Sequence, residues 1–191
     1  MGRIIVIQYV TLDGVVEDPD GRSGTAFGGW AFRFGGGSIS GDKFRLGAIL
    51  DTGALLFGRR TWEHFSRLWP SRTDPVSTAM NAMPKYVRSQ GNPDLAGWSN
   101  SHRLPVPGDL EASVRALALR HDLVVIGSIS LVSELAEAGL VDEYRLLTVP
   151  TFVGQGRRLF THAIELDLVA VEEAGPMLLE TLRPTSVATP G

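Results

Sequence analysis

Ala54-Leu55-Leu56-Phe57-Gly58-Arg59-Arg60-Thr61-Trp62-Glu63 and Leu123-Val124-Val125-Ile126-Gly127-Ser128-Ile129-Ser130-Leu131 follow one plan. Each begins as a short, almost wholly apolar run, the pattern of a strand buried on both faces of a parallel or mixed sheet, and passes through a glycine into a helical pattern. A helix start leaves backbone N–H groups unpaired and carries partial positive charge, so two such starts side by side can hold the two ends of a dinucleotide pyrophosphate. The pair therefore points to nucleotide cofactor binding.

The rest of the chain is compatible with that reading. Its 191 residues suffice for one domain with a buried core, and we read a single domain over 1–191. A hydrophobic fraction of 43%, a charged fraction of 20% and a net charge of −3 describe a soluble globular protein and argue against nucleic acid as a main partner. The absence of cysteine excludes disulfides, zinc–thiolate sites and cysteine nucleophiles. The apolar stretch Ile4–Val10 is too short to span a bilayer and has no cleavage pattern behind it, so it reads as the first strand, with no membrane association and a cytoplasmic location as the expectation.

Thr11-Leu12-Asp13-Gly14 is a turn signal, and the segment 15–41 mixes glycines with Phe27, Trp30, Phe32 and Phe34. Such a segment is either a plain surface loop or a mobile cover whose aromatics wall a ligand cleft; four aromatics favour the cover. Phe44, Leu46, Ile49 and Leu50 give one apolar stripe to an expected helix at 42–51. Further helices are expected from Thr61 to Trp69, at 110–121 behind the capping residue Asp109, and at 129–138 before Gly139. Residues 71–83 read as a polar connection or a short helix. Strands are expected at 84–89, 123–126 and 141–150, then near 166–173 and 177–183 around Ala174-Gly175-Pro176. Strand–helix alternation followed by a closing hairpin predicts an α/β protein with a mixed, mainly parallel sheet in three layers and a C-terminal antiparallel hairpin.

Gly58-Arg59-Arg60-Thr61 is the sharpest local cluster. Gly58 permits a tight turn, Thr61 offers a hydroxyl and an N–H to a phosphate oxygen, and two arginines supply charge for a dianion. The same residues also suit an ordinary helix start with surface arginines. Lys85, Arg88 and Ser89 would form a second phosphate set. Arginines near an adenosine favour a 2′-phosphorylated cofactor, because a 2′-hydroxyl calls for an acidic partner. The Gly127-Ser128-Ile129-Ser130 turn is weaker alone, and no Rossmann or Walker fingerprint stands in the chain. His64, His102, His121 and His162 are isolated in sequence and read as surface or core residues rather than ligands; no metal site is visible.

Leu56–Glu63, Met83–Ser89, Val125–Ser128 and Gly139–Leu146, in this order and spacing, resemble the dihydrofolate reductase superfamily. With Thr11–Gly14 and Pro150–Phe160 the resemblance narrows to the reductase domain of bifunctional riboflavin-biosynthesis proteins and its stand-alone relatives. It implies a three-layer α/β/α fold with about eight strands, and NADPH across the carboxyl ends of the central strands. It further implies hydride transfer to a pterin- or pyrimidine-like ring. By that likeness Gly58 to Thr61 and Lys85 to Ser89 hold the adenosine phosphates, and Gly127, Ser128, Ile129, Ser130 and Leu131 hold the pyrophosphate and nicotinamide side. Asp13 and the aromatic loop, with Trp30 and Phe34, border the substrate. Asp42, 16 residues before Gly58, matches the spacing of the pterin-binding carboxylate and is the candidate proton donor; an exposed Asp that stabilises its helix start is the alternative. Strand 141–150 carries apolar groups on both faces, which suits either a twofold dimer, as in the riboflavin-type relatives, or domain core. A second reading keeps the fold without the chemistry, as a nucleotide- or flavin-binding module, because Ser128 stands where dihydrofolate reductases have a second glycine and could crowd the pyrophosphate.

Overall fold

Alternation of apolar residues on both sides of Ile4–Thr11 (β1), Ala54–Gly58 (β2) and Leu123–Ile126 (β5) leaves these strands no solvent-facing side, and they form the centre of the sheet. In the computed structural model, which describes residues 1–34, 45–105 and 108–185, an eight-stranded sheet runs in the order β4-β3-β2-β5-β1-β6-β8-β7. Lys85–Arg88 (β3), Ser101–Arg103 (β4) and Glu143–Val149 (β6) extend the parallel part. Leu166–Ala174 (β7) and Met177–Pro184 (β8) close it as an antiparallel hairpin on β6.

Helices cover both faces. On one, Val114, Leu117 and Ala118 of α4 (Leu110–Ala118) and Leu131, Val132 and Leu135 of α5 (Ile129–Glu137) pack on Val6, Leu56 and Val125. On the other, Ile49 of α1 (Ile49–Thr52), Trp62 of α2 (Arg59–Phe65) and Met80 of α3 (Pro75–Ala82) pack on Ile7, Leu55, Phe57 and Val124. Fully burying side chains of this size stabilises by roughly 1.5–3 kcal/mol each, and such pairs of layers fix where each strand ends. The three-layer α/β/α architecture with its closing hairpin is the one expected.

Three local expectations are corrected and one alternative is decided. The described part of the segment expected as helix at 42–51 turns helical only at Ile49, because Arg45 (φ 50°) and Gly47 (φ 52°) adopt left-handed backbone that a helix cannot contain. The helix expected from Thr61 to Trp69 runs instead over Arg59–Phe65. Of the two readings of 71–83, the structure has the short helix: α3 starts with Asp74 accepting the Ser77 amide at 3.0 Å and Pro75 in the first turn. Ser101–Arg103, where no strand is expected from the sequence, pairs with β3 as an edge strand.

The described part of the glycine- and aromatic-rich segment is anchored. Val15 bridges to Arg158, Val15 and Val16 are buried, and a 3-10 turn at Trp30–Phe32 buries Trp30 and Ala31. Asp18 accepts from the Ser23 amide and from both the amide and hydroxyl of Thr25. Burial works against its charge, but these donors outweigh it and hold the carboxyl below its usual range.

Candidate functional site

The carboxyl ends of β1, β2, β3 and β5 open into a cleft of about 1030 Å³, lined among others by Gly58–Thr61, Arg88–Gly91, Ile126–Leu131, Gln8 and Tyr9. Its floor is the meeting of the two strand–helix junctions. The Gly58 amide donates to Ser128 Oγ at 2.8 Å, which ties the start of α2 to the start of α5. Gly127 sits at φ +64°, and a Cβ there would lie 3.3 Å from Thr61 Cγ2. Only glycine allows both that backbone and that approach.

Ser128 is left-handed (φ 61°) and its side chain makes no cap on α5. A serine at a helix start ordinarily accepts from its own helix; here Gly58 takes that hydroxyl, and the first amides of α5 keep no side-chain partner among the described residues. The Ser128 hydroxyl is thus engaged by the Gly58 amide rather than standing free against a pyrophosphate.

Cations surround these amides. Arg59 is exposed and paired with Glu63 at 2.7 Å, while Arg60, also on the rim, makes no ion pair among the described residues. Arg88 reaches Glu134 at 3.3 Å, yet its Nε is buried without a hydrogen-bond partner. Such an orphan donor marks a place for an acceptor. Thr61, Ser89, Gly127, Ile129, Ser130 and Leu131 all line the same cleft. The residue set therefore fits a phosphorylated nucleotide: helix starts without side-chain caps, arginines and hydroxyls line one space.

Other expected residues lie elsewhere. Lys85 is wholly buried, donating to the carbonyls of Asn81 (2.7 Å), Met83 (2.7 Å) and Ser99 (3.1 Å) below the Trp98 ring; it cannot reach a phosphate, and the expectation is corrected. Burial pushes its ammonium down to about 8. Trp30 is core, its Nε1 donating to Glu17 O at 2.9 Å. Phe34 lies outside the cleft lining, where Phe32 stands instead. Asp13 accepts from Thr11, Gly154 and Val153. The Thr11 hydroxyl, helped by those amides, holds its carboxyl below the usual range, and it clamps a turn rather than a ligand. Asp42 lies outside the described residues.

Two groups were not singled out from sequence. Arg157 donates to Ser130 Oγ at 3.1 Å while its amide donates to Glu17 at 2.9 Å, placing a further cation over the start of α5; Pro150–Phe160 bore on the family resemblance but flagged no arginine. His64 is the second. Its Nε2 lies 3.1 Å from Asp20 Oδ2, and both residues line the other half of the cleft with Tyr9, Phe32, Phe65, Leu68, Trp69 and Arg72. Their 44-residue separation left no local signal beyond the position of His64 on the helix that opens at Gly58.

The three-layer mixed sheet, with two helix starts tied together at its strand ends, places the chain in the α/β class. Within it, residues 3–179 match the RibD C-terminal domain, and the chain belongs to that family. A Shewanella sp. PV-4 protein named for riboflavin biosynthesis has the same fold, with TM-score 0.71, 20% identity, and coverage of 96% of this chain and 98% of that one. RibD of Acinetobacter baumannii superposes with TM-score 0.68 at 17% identity over 97% of this chain, which spans 58% of the RibD chain. The Bacillus subtilis protein YyaP, itself uncharacterized, is 24% identical over 165 residues, covering 83% of this chain and 80% of the relative.

Proposed function

We propose that this protein is an NADPH-dependent reductase that delivers hydride to a small pterin- or pyrimidine-like heterocycle. One observation carries the reading: the Gly58–Ser128 hydrogen bond joins two helix starts without side-chain caps inside one arginine-lined cleft. Arg59, Arg60, Arg88 and Ser89 bind the adenosine 2′-phosphate side, and the amides and hydroxyls of 127–131, with Arg157, bind the diphosphate. Bound nicotinamide supplies the hydride.

The substrate half needs a proton source. Among the residues that line the cleft, His64 carries an imidazole, whose two ring nitrogens can accept and donate a proton. Asp20 holds its Nε2 and orients the ring, which leaves Nδ1 to exchange a proton with a bound heterocycle. Asp42 remains the competing donor. Tyr9, Phe32, Phe65 and Trp69 exclude water from a flat ring. A second copy of the chain belongs to the proposal too, seated on the uncovered face of β7 and β8.

Loss of NADPH absorbance, followed with dihydropterins and with the ribosylaminopyrimidine phosphate, tests the reading. Turnover of one of them is expected, with His64→Gln and Asp20→Asn each lowering kcat by about 10²-fold or more and Asp42→Asn changing it less. Tight NADPH binding without turnover on any would make the protein a nucleotide-binding module.

A further inference from the structure

Among the described residues, the donor Arg88 Nε and the acceptor Gln8 Oε1 are buried without a hydrogen-bond partner, and both belong to residues that line the cleft. The first suits an anion. The second has no use in the scheme above. Gln8 stands on β1 in a stripe that is otherwise apolar, sharing its face with Ile4, Val6 and Val10, and is only 5% exposed. A buried acceptor left unmatched is destabilising, and a leucine there would avoid that cost. The amide is accounted for if the bound molecule brings an N–H to it.

We infer that Gln8 reads an amide edge of the bound molecule, and that this edge is the carboxamide of nicotinamide. The inference rests on the reductase reading and extends it to one residue. Register places Gln8 one residue beyond the Ile7–Ile126 pair, hence level with Gly127 just past the end of β5. Along the sheet edge β3, β2, β5 and β1 follow in order. They carry Arg88, Gly58 and, just past the end of β5, Gly127, with Gln8 last. Neighbouring strands lie about 4.8 Å apart, so Gln8 is on the order of 14 Å across the sheet from the Arg88 strand. A dinucleotide whose phosphorylated adenosine meets Arg88 and whose diphosphate meets 127–131 has its other nucleoside over β1.

The chemistry matches as well. A glutamine amide and a primary carboxamide each carry one carbonyl acceptor and an N–H₂ donor, so they pair reciprocally. Neighbouring carboxylates are already engaged, Asp18 by Ser23 and Thr25 and Glu17 by the Arg157 amide. The lactam N–H of a pterin or pyrimidine presents the same donor, so the test must separate the two sources.

Gln8→Met keeps the length of the side chain and removes both polar atoms. Wild type and variant are titrated by calorimetry with NADPH, with adenosine 2′,5′-bisphosphate, which lacks nicotinamide, and, with NADP⁺ saturating, with a dihydropterin. A loss of roughly tenfold for NADPH with unchanged bisphosphate affinity is expected, and the unchanged arm shows that the variant is folded. Should Gln8→Met not fold, Gln8→Asn, one methylene shorter, is read the same way. Weakening confined to the dihydropterin overturns the nicotinamide assignment in favour of the substrate edge. Equal affinities throughout, or parallel losses for NADPH and the bisphosphate, overturn the inference while the reductase reading stands. A wild-type protein that binds neither nucleotide overturns the reductase reading itself.

Discussion

Lys85 shows how one residue can hold the structure beneath a site without belonging to it. Its ammonium closes the carboxyl end of α3 by meeting the carbonyls of Asn81 and Met83, and it joins them to Ser99. Lys85→Met leaves those acceptors unpaired and should destabilise the protein by roughly 1–3 kcal/mol in chemical denaturation at pH 7, with NADPH affinity unchanged. In the folded protein burial pushes the Lys85 ammonium down to about 8 from the ordinary lysine value of 10.5, so between these values the unfolded chain binds the proton that the folded chain has released. Wild-type stability gains with rising pH in that window, and the gap to Lys85→Met should widen from pH 8 toward 10. Loss of cofactor binding in this variant, with its stability intact, would return Lys85 to the phosphate site. The sequence held a signal for this: on β3, Lys85 shares its face with buried Val87, whereas Arg88 shares one with half-buried Tyr86. Trp30 departs from its expected place at the substrate for a related reason. A tryptophan among glycines suggests a wall, but the glycines let the chain turn that ring into the core.

At the scale of elements, the strands of the centre were legible because β1, β2 and β5 have no polar face to confuse the pattern. Helix ends were less so. Residues Arg45 and Gly47 take left-handed backbone that an apolar stripe does not announce, and β4 is held by three residues pairing with β3 rather than by any periodicity of its own. The hairpin carries a different consequence. Register sets Leu168, Val171 and Leu178 on the face shared by Tyr144 and Leu146, and they are 61%, 53% and 43% exposed. Side chains of that kind on one sheet face suit a second copy of the chain. Light scattering is expected to give a dimer for the wild type, and Leu168→Lys with Leu178→Lys is expected to give a monomer that still binds NADPH. A wild-type monomer at tens of micromolar would remove the second copy from the account.

Across the whole molecule, the fold does one thing for the site: it brings residues 58 and 128 together across adjacent parallel strands, and residues 88 and 157 to the same opening. That convergence was readable, since both junctions show the same apolar-run, glycine and helix order. The substrate half was not, because His64, Asp20, Phe32 and Trp69 meet only through tertiary packing. The central claim is that this opening grips a 2′-phosphorylated dinucleotide. Calorimetric titration of the protein with NADPH and with NADH, repeated on Arg59→Ala/Arg60→Ala, tests it most directly. The account predicts NADPH binding at least tenfold tighter than NADH in the wild type, about 1.4 kcal/mol, and near-equal binding in the double variant. Equal affinity for both nucleotides in the wild type, or a preference that survives the loss of both arginines, would contradict it.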